Sequence, residues 1–117
     1  MERRSFIRIE VELEALVTLD SGSRVPVRIV DLSEAGAQIE CDAFSAAILA
    51  PDADCLDSDG KPIELDLSCN LQESQVRVRC RVIFVRRLAH DAYRIGLRYA
   101  DPLQPELIAL RRYLHGR

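Results

Sequence analysis

Six stretches of alternating apolar and polar residues, Gly- and Asp-rich breaks between them, and one apolar stripe at helical spacing near the end predict a mostly-β chain. The expected architecture is a six-stranded antiparallel β-barrel with a short helix in the middle and a C-terminal helix. Strict alternation gives each strand one apolar face. Closing the sheet on itself buries that face and removes exposed edges. The 117 residues suit one domain with one core, and no linker or repeat interrupts them.

The first strand is expected from Ile7 to Leu19. Ile7, Ile9, Val11, Leu13, Ala15, Val17 and Leu19 alternate there with Arg8, Glu10, Glu12, Glu14 and Thr18. A turn at Asp20-Ser21-Gly22-Ser23 leads to a second strand, in which Val25, Val27 and Ile29 face inward and Pro26 marks a gap in pairing or an edge. Asp31-Leu32-Ser33-Glu34-Ala35-Gly36 then reads as the polar tip of a hairpin, because short polar side chains bond nearby amides and glycine takes backbone angles closed to other residues. The third strand follows, with Ala37, Ile39 and Cys41 inward.

Ala43 to Ala50 is alanine-rich without strand alternation and predicts a short helix over one barrel end. The acidic stretch after it reads as a solvated loop. Aligning Asp57, Asp59 and Gly60 to a calcium loop would put Cys55 at the first ligand position and Asp66, inside the next strand, at the last.

The fourth strand is expected from Pro62 to Leu71, and the fifth from Gln75 to Arg87. In the fifth, Val76, Val78, Cys80, Val82 and Phe84 face inward, while Arg77, Arg79 and Arg81 face outward toward acidic neighbours. The sixth runs from Ala92 to Tyr99. Asp101-Pro102 is a helix-start signal and Pro105-Glu106 a later one, followed by a stripe of Leu107, Leu110, Arg111 and Leu114 that is expected to pack on the barrel, the alternative being an exposed stripe for a partner or dimer contact.

Composition narrows the function. A net charge of −3 argues against general nucleic-acid binding, which needs a basic field over much of one face, yet allows a small anion. Lys61 is the one lysine among sixteen basic residues; the others are arginines, whose planar forks suit phosphates and guanine edges. Cys41, Cys55, Cys69 and Cys80 lack CxxC spacing and read as reduced thiols that mostly fill the core. With a charged N-terminus and no long apolar run, neither a signal peptide nor a membrane span is expected, and the expected location is cytoplasmic. His90 and His115 have no nucleophile or metal pattern around them, so no enzyme, catalytic residue or metal site is expected. Six Tyr and Phe residues, several placed inward, are too few for the aromatic platforms of an oligonucleotide-binding barrel.

Two clusters remain. Arg3, Arg4 and Arg8, spaced RRxxxR, stand just before the first strand, and Asp31-x-Ser33-x-x-Gly36 follows the second. The first set alone is what a solvated basic terminus has, and the second what any turn selects. As an ordered pair flanking strands of a short all-β chain, they resemble the signature of PilZ domains, bacterial receptors for cyclic di-GMP. The resemblance extends over the whole length, since that domain is a six-stranded barrel ending in a helix.

The resemblance implies a stand-alone, single-domain cyclic di-GMP receptor. Residues 1–8 would be a flexible ligand-binding arm, 9–99 the barrel and 102–115 the C-terminal helix. Arg3, Arg4, Arg8, Asp31, Ser33 and Gly36 would be the ligand-binding residues. Their chemistry matches: Arg4 and Arg8 fork onto phosphate or guanine O6/N7, Asp31 accepts from guanine N1-H and N2-H, Ser33 adds a hydrogen bond, and Gly36 lets a ligand approach the backbone. In the family an arginine at the position of Arg3 accompanies a stacked pair of nucleotides, which implies two per protomer. Where relatives often have a tryptophan late in the fifth strand this chain has Phe84, which alternation places in the core, an argument against stacking there. The family also implies output through an unidentified protein partner that controls motility, pili, adhesion or exopolysaccharide, from a monomer or weak dimer. The alternative is a PilZ-fold adaptor that binds protein, with weak or no nucleotide binding.

Overall fold

The computed structural model describes residues 7–52 and 54–116. Its strands are β1 (Arg8–Thr18), β2 (Arg24–Ser33), β3 (Gly36–Cys41), β4 (Glu64–Leu71), β5 (Ser74–Ala89) and β6 (Ala92–Tyr99). Two helices join them, α1 (Ala43–Leu49) between β3 and β4 and α2 (Gln104–His115) after β6. All pairings are antiparallel. The order β1-β2-β3-β6-β5-β4 closes on itself because β4 also pairs with β1, Val17 opposite Leu67. The six-stranded barrel with two helices is the architecture expected from the alternation.

Alternation also selects the core. Val17, Ile29, Ile39, Leu65, Cys80 and Ile95 are fully buried inside the ring. The helices close opposite ends, for β3 and β6 run antiparallel and each is followed by a helix. Asp42 caps α1, its Oδ1 accepting from the Ser45 amide at 2.7 Å, and the cap holds its carboxyl below the ordinary range. On α2 the later start signal is the one used: Pro105 lies in the first turn, and Glu106 reaches back to accept from the Leu103 amide at 3.1 Å. Leu110, Tyr113 and Leu114 bury the helix against β2, β4 and β5. No helix among the described residues is long and apolar enough to cross a membrane.

Two expectations are corrected. Asp31, Leu32 and Ser33 do not belong to the turn; they continue β2, leaving a two-residue connection, Glu34-Ala35. A bulge between Ile29 and Asp31 shifts the register, so that Leu32 enters the core at 1% exposure while Asp31 stands opposite Gln38. Ladder bonds and the burial of Leu32 prevail over the local turn preference of Asp and Ser. The second correction is Phe84. A bulge between Val82 and Phe84 reverses the alternation, so Val85 packs on the core and the Phe84 ring lies outside across Gly96. Arg86 stands over that ring, 5.6 Å from its centroid.

The outward arginines of β5 meet acids as expected. Arg77 pairs with Asp66 at 2.9 Å, Arg79 with Asp20 at 2.8 Å and Glu64 at 3.2 Å, and Arg81 with Glu64 at 3.4 Å. The four cysteines form no disulfide, and burial pushes Cys80 up to about 12 and Cys41 and Cys69 to about 11.

Candidate functional site

One end of the barrel gathers the start of β1, the β2–β3 turn, the end of β6 and helix α2. Arg8 opens β1 directly opposite Ser33, the last residue of β2, and its Nη2 lies 3.4 Å from Asp31 Oδ1. The arginine and carboxylate of the two sequence clusters, 23 residues apart in the chain, are thus neighbours on the outer face. Both are accessible, with the Arg8 side chain 58% exposed and that of Asp31 23%. Arg3 and Arg4 lie outside the described residues.

Ser33 is used differently. Its hydroxyl is buried and accepts from the amides of Ala35 at 3.1 Å and Gly36 at 3.2 Å while donating to the Gly36 carbonyl at 3.2 Å. One donor and two acceptor sites are all a hydroxyl has, so in this conformation its capacity is spent on shaping the turn. Gly36 packs as tightly: a Cβ there would sit 2.0 Å from the Leu97 carbonyl oxygen of β6. Only glycine lets β3 approach β6 so closely.

Side chains that no local pattern pointed to complete this end. Tyr99 donates to the Ser33 carbonyl at 2.9 Å, and burial drives its phenol far above the ordinary value. Glu34, inside the turn, meets His115 Nε2 at 3.0 Å and Arg111 Nε at 3.8 Å, tying the turn to the last turns of α2. Glu10 stands across from Asp31. Next to them an open depression of about 590 Å³ is lined by Glu10, Arg28, Asp31, Glu40 and Arg94. Glu40 accepts from Arg94 Nε at 3.1 Å and from Arg28 Nη2 at 2.9 Å, bonds that hold its carboxyl below the usual range, the Arg94 bond most of all. Only pairing register could have revealed these neighbours.

The rim therefore offers a guanidinium, an acceptor-only carboxylate and a rigid turn around an accessible ledge. Together they suit a ligand that has both anionic oxygens and paired N–H donors, as a guanine nucleotide does.

A family model described as PilZ domain matches residues 2–116. No curated protein matches the chain. Among solved structures, the Bacillus subtilis inhibitor of motility MotI/DgrA superposes with a TM-score of 0.70 at 17% identity, over 100% of this chain and 52% of that one. The PilZ domain of Escherichia coli YcgR, solved with cyclic di-GMP, gives 0.67 at 13% identity over 98% and 91%. The complex of K. pneumonia MrkH with cyclic di-GMP gives 0.68 at 14% identity, over 98% and 52%. The chain spans about half the length of the MotI/DgrA and MrkH chains and nearly all of the YcgR domain. At these identities the likeness shows the fold.

Proposed function

The chain belongs to the PilZ domain family, and from that premise we propose that it is a receptor for cyclic di-GMP whose site is the rim formed by β1, β2 and the β2–β3 turn. The observation that carries the reading is the meeting of Arg8 and Asp31 at 3.4 Å, both accessible, at the edge of the turn that Ser33 and Gly36 build. In this reading Asp31 exchanges Arg8 for the N1-H and N2-H of a guanine. The released guanidinium of Arg8 turns to phosphate or to guanine O6/N7. Arg3 and Arg4 supply further forks, and Ser33 and Gly36 hold the ledge to which the base is presented. That YcgR and MrkH were solved with cyclic di-GMP supports the assignment.

Binding draws residues 1–8 onto the barrel. Ordering about six residues costs roughly 1–2 kcal/mol each, and a bidentate base contact returns about 1–3 kcal/mol, to which charge-assisted phosphate contacts add. The terms nearly balance, which gives moderate, salt-sensitive affinity and two nucleotides per protomer when Arg3 takes part. The signal then passes to a protein partner.

Calorimetric titration with cyclic di-GMP, with cyclic di-AMP and GTP as controls, tests the reading. Selective heat, lost in Arg8→Ala and in Asp31→Ala, supports it; no heat in the unaltered protein rejects it. The second reading, an adaptor with weak or no nucleotide binding, is favoured by one observation: the Ser33 hydroxyl and the Gly36 backbone are fully employed by the fold.

A further inference from the structure

Outside the motif, Arg98 is among the outward arginines without a carboxylate partner, a group that also holds Arg24, Arg86, Arg87 and Arg112 among the described residues. Arg28, Arg77, Arg79, Arg81 and Arg94 are each met by a carboxylate. Arg98 has no ion-pair partner among the described residues. In register it stands between Gly36 on β3, which has no side chain, and Arg81 on β5, which carries the same charge. Like charges directly opposite across an antiparallel ladder are destabilising, and of this pair it is Arg81 that Glu64 meets, at 3.4 Å, while also holding Arg79. Arg98 itself is exposed, although its neighbours Leu97 and Tyr99 are buried, so its side chain leaves the barrel on the outer face.

Its position relative to the motif gives this charge a use. Arg8 faces Ser33 across β1 and β2, and Gly36, at the other end of the same short turn, faces Arg98 across β3 and β6. Arg8 and Arg98 lie three strands apart around the closed barrel, in one row and on either side of the turn. The two arginines thus flank the turn, one on the strand beside β2 and the other on the strand beside β3. Glycine at position 36 leaves the floor between them bare.

We propose that Arg98 is a phosphate-binding residue of the nucleotide site, gripping the phosphate on the β6 side of the turn while Arg8 serves the β1 side. The proposal rests on the receptor reading. Arg81 holds the Arg98 guanidinium away from β5 by repulsion, so that it leans over Gly36 toward the ligand. The stability lost to the opposition of Arg81 and Arg98 is recovered when a singly charged phosphodiester of the ligand settles against Arg98 and neutralises it.

The test uses the full chain and cyclic di-GMP in calorimetry, comparing the unaltered protein with Arg98→Gln, Arg98→Lys and Arg24→Gln. Arg24 is also exposed, but it lies at the opposite end of the barrel, across from Thr18. Loss of a charge-assisted contact weakens binding about tenfold to a hundredfold in Arg98→Gln. Arg98→Lys recovers part of that, and Arg24→Gln changes affinity less than twofold. Without ligand, Arg98→Gln raises the thermal midpoint by about 1–4 °C, because a repulsive pair is gone. Undiminished binding by Arg98→Gln overturns the proposal and leaves the receptor reading standing. Equal weakening by Arg24→Gln overturns it too, since net charge would then be the cause. No binding by the unaltered protein removes the receptor reading and this role with it.

Discussion

The Tyr99 hydroxyl donates a 2.9 Å hydrogen bond to the Ser33 carbonyl, joining the last residue of β6 to the last residue of β2 beneath the motif turn. The phenol is buried, so this bond has no water to replace it. Tyr99→Phe is expected to cost about 1–3 kcal/mol in urea unfolding. It should also loosen the turn, seen as faster amide exchange at Ala35 and Gly36. An unchanged unfolding midpoint with unchanged exchange would show that the bond holds nothing.

Glycine is required at two positions on β3 and β6 for different reasons. A Cβ at residue 36 meets the backbone carbonyl of Leu97 at 2.0 Å, and one at residue 96 meets the Phe84 ring at 2.1 Å. A backbone in a ladder cannot step aside, whereas a ring on the outer face can swing. Gly36→Ala should therefore lose about 3 kcal/mol and Gly96→Ala about 1 kcal/mol, compared by chemical denaturation. The reverse order would contradict the packing.

Arg8 and Asp31 are paired but exposed, and exposed pairs contribute about 0–1 kcal/mol. Arg8→Ala and Asp31→Ala should leave the thermal midpoint within about 4 °C of the unaltered protein while abolishing nucleotide binding. A large loss of stability in either variant would assign the pair to the scaffold instead.

Glu34 couples the turn to α2 through His115 and Arg111. Glu34→Ala should speed amide exchange in the last turn of α2 and leave β4 and β5 protected, because the contact is confined to one end of the barrel. Uniform loss of protection would instead mean global destabilisation.

Alkaline pH should destabilise the fold. Burial raises Cys80 to about 12 and Cys41 and Cys69 to about 11, from an ordinary thiol value of 9.0, and raises the Tyr99 phenol as well. The unfolded chain gives up these protons first, so stability is complete below pH 9 and falls as pH rises from about 9 toward 12. Urea midpoints at pH 8 and pH 10.5 should show the loss. A flat profile would mean that the thiols are not confined as described.

The strands and the two helices were legible because alternation and helical spacing are properties of neighbouring residues, and burial acts on them directly. Arg8, Asp31, Ser33 and Gly36 were picked out as a set by resemblance, and the fold brings them to one rim. The turn was drawn too long, and Phe84 was placed inside, for one reason: a bulge adds a single residue and reverses every side chain beyond it, and no composition signal marks where the ladder admits one. The spent hydroxyl of Ser33, the grip of Glu34 on α2 and the isolation of Arg98 between Gly36 and Arg81 belong to the same class. Local pattern determined which residues face the core. Pairing between strands far apart in the chain decided which polar groups meet outside it, because cross-strand neighbours are set by register and closure of the barrel rather than by any stretch of sequence.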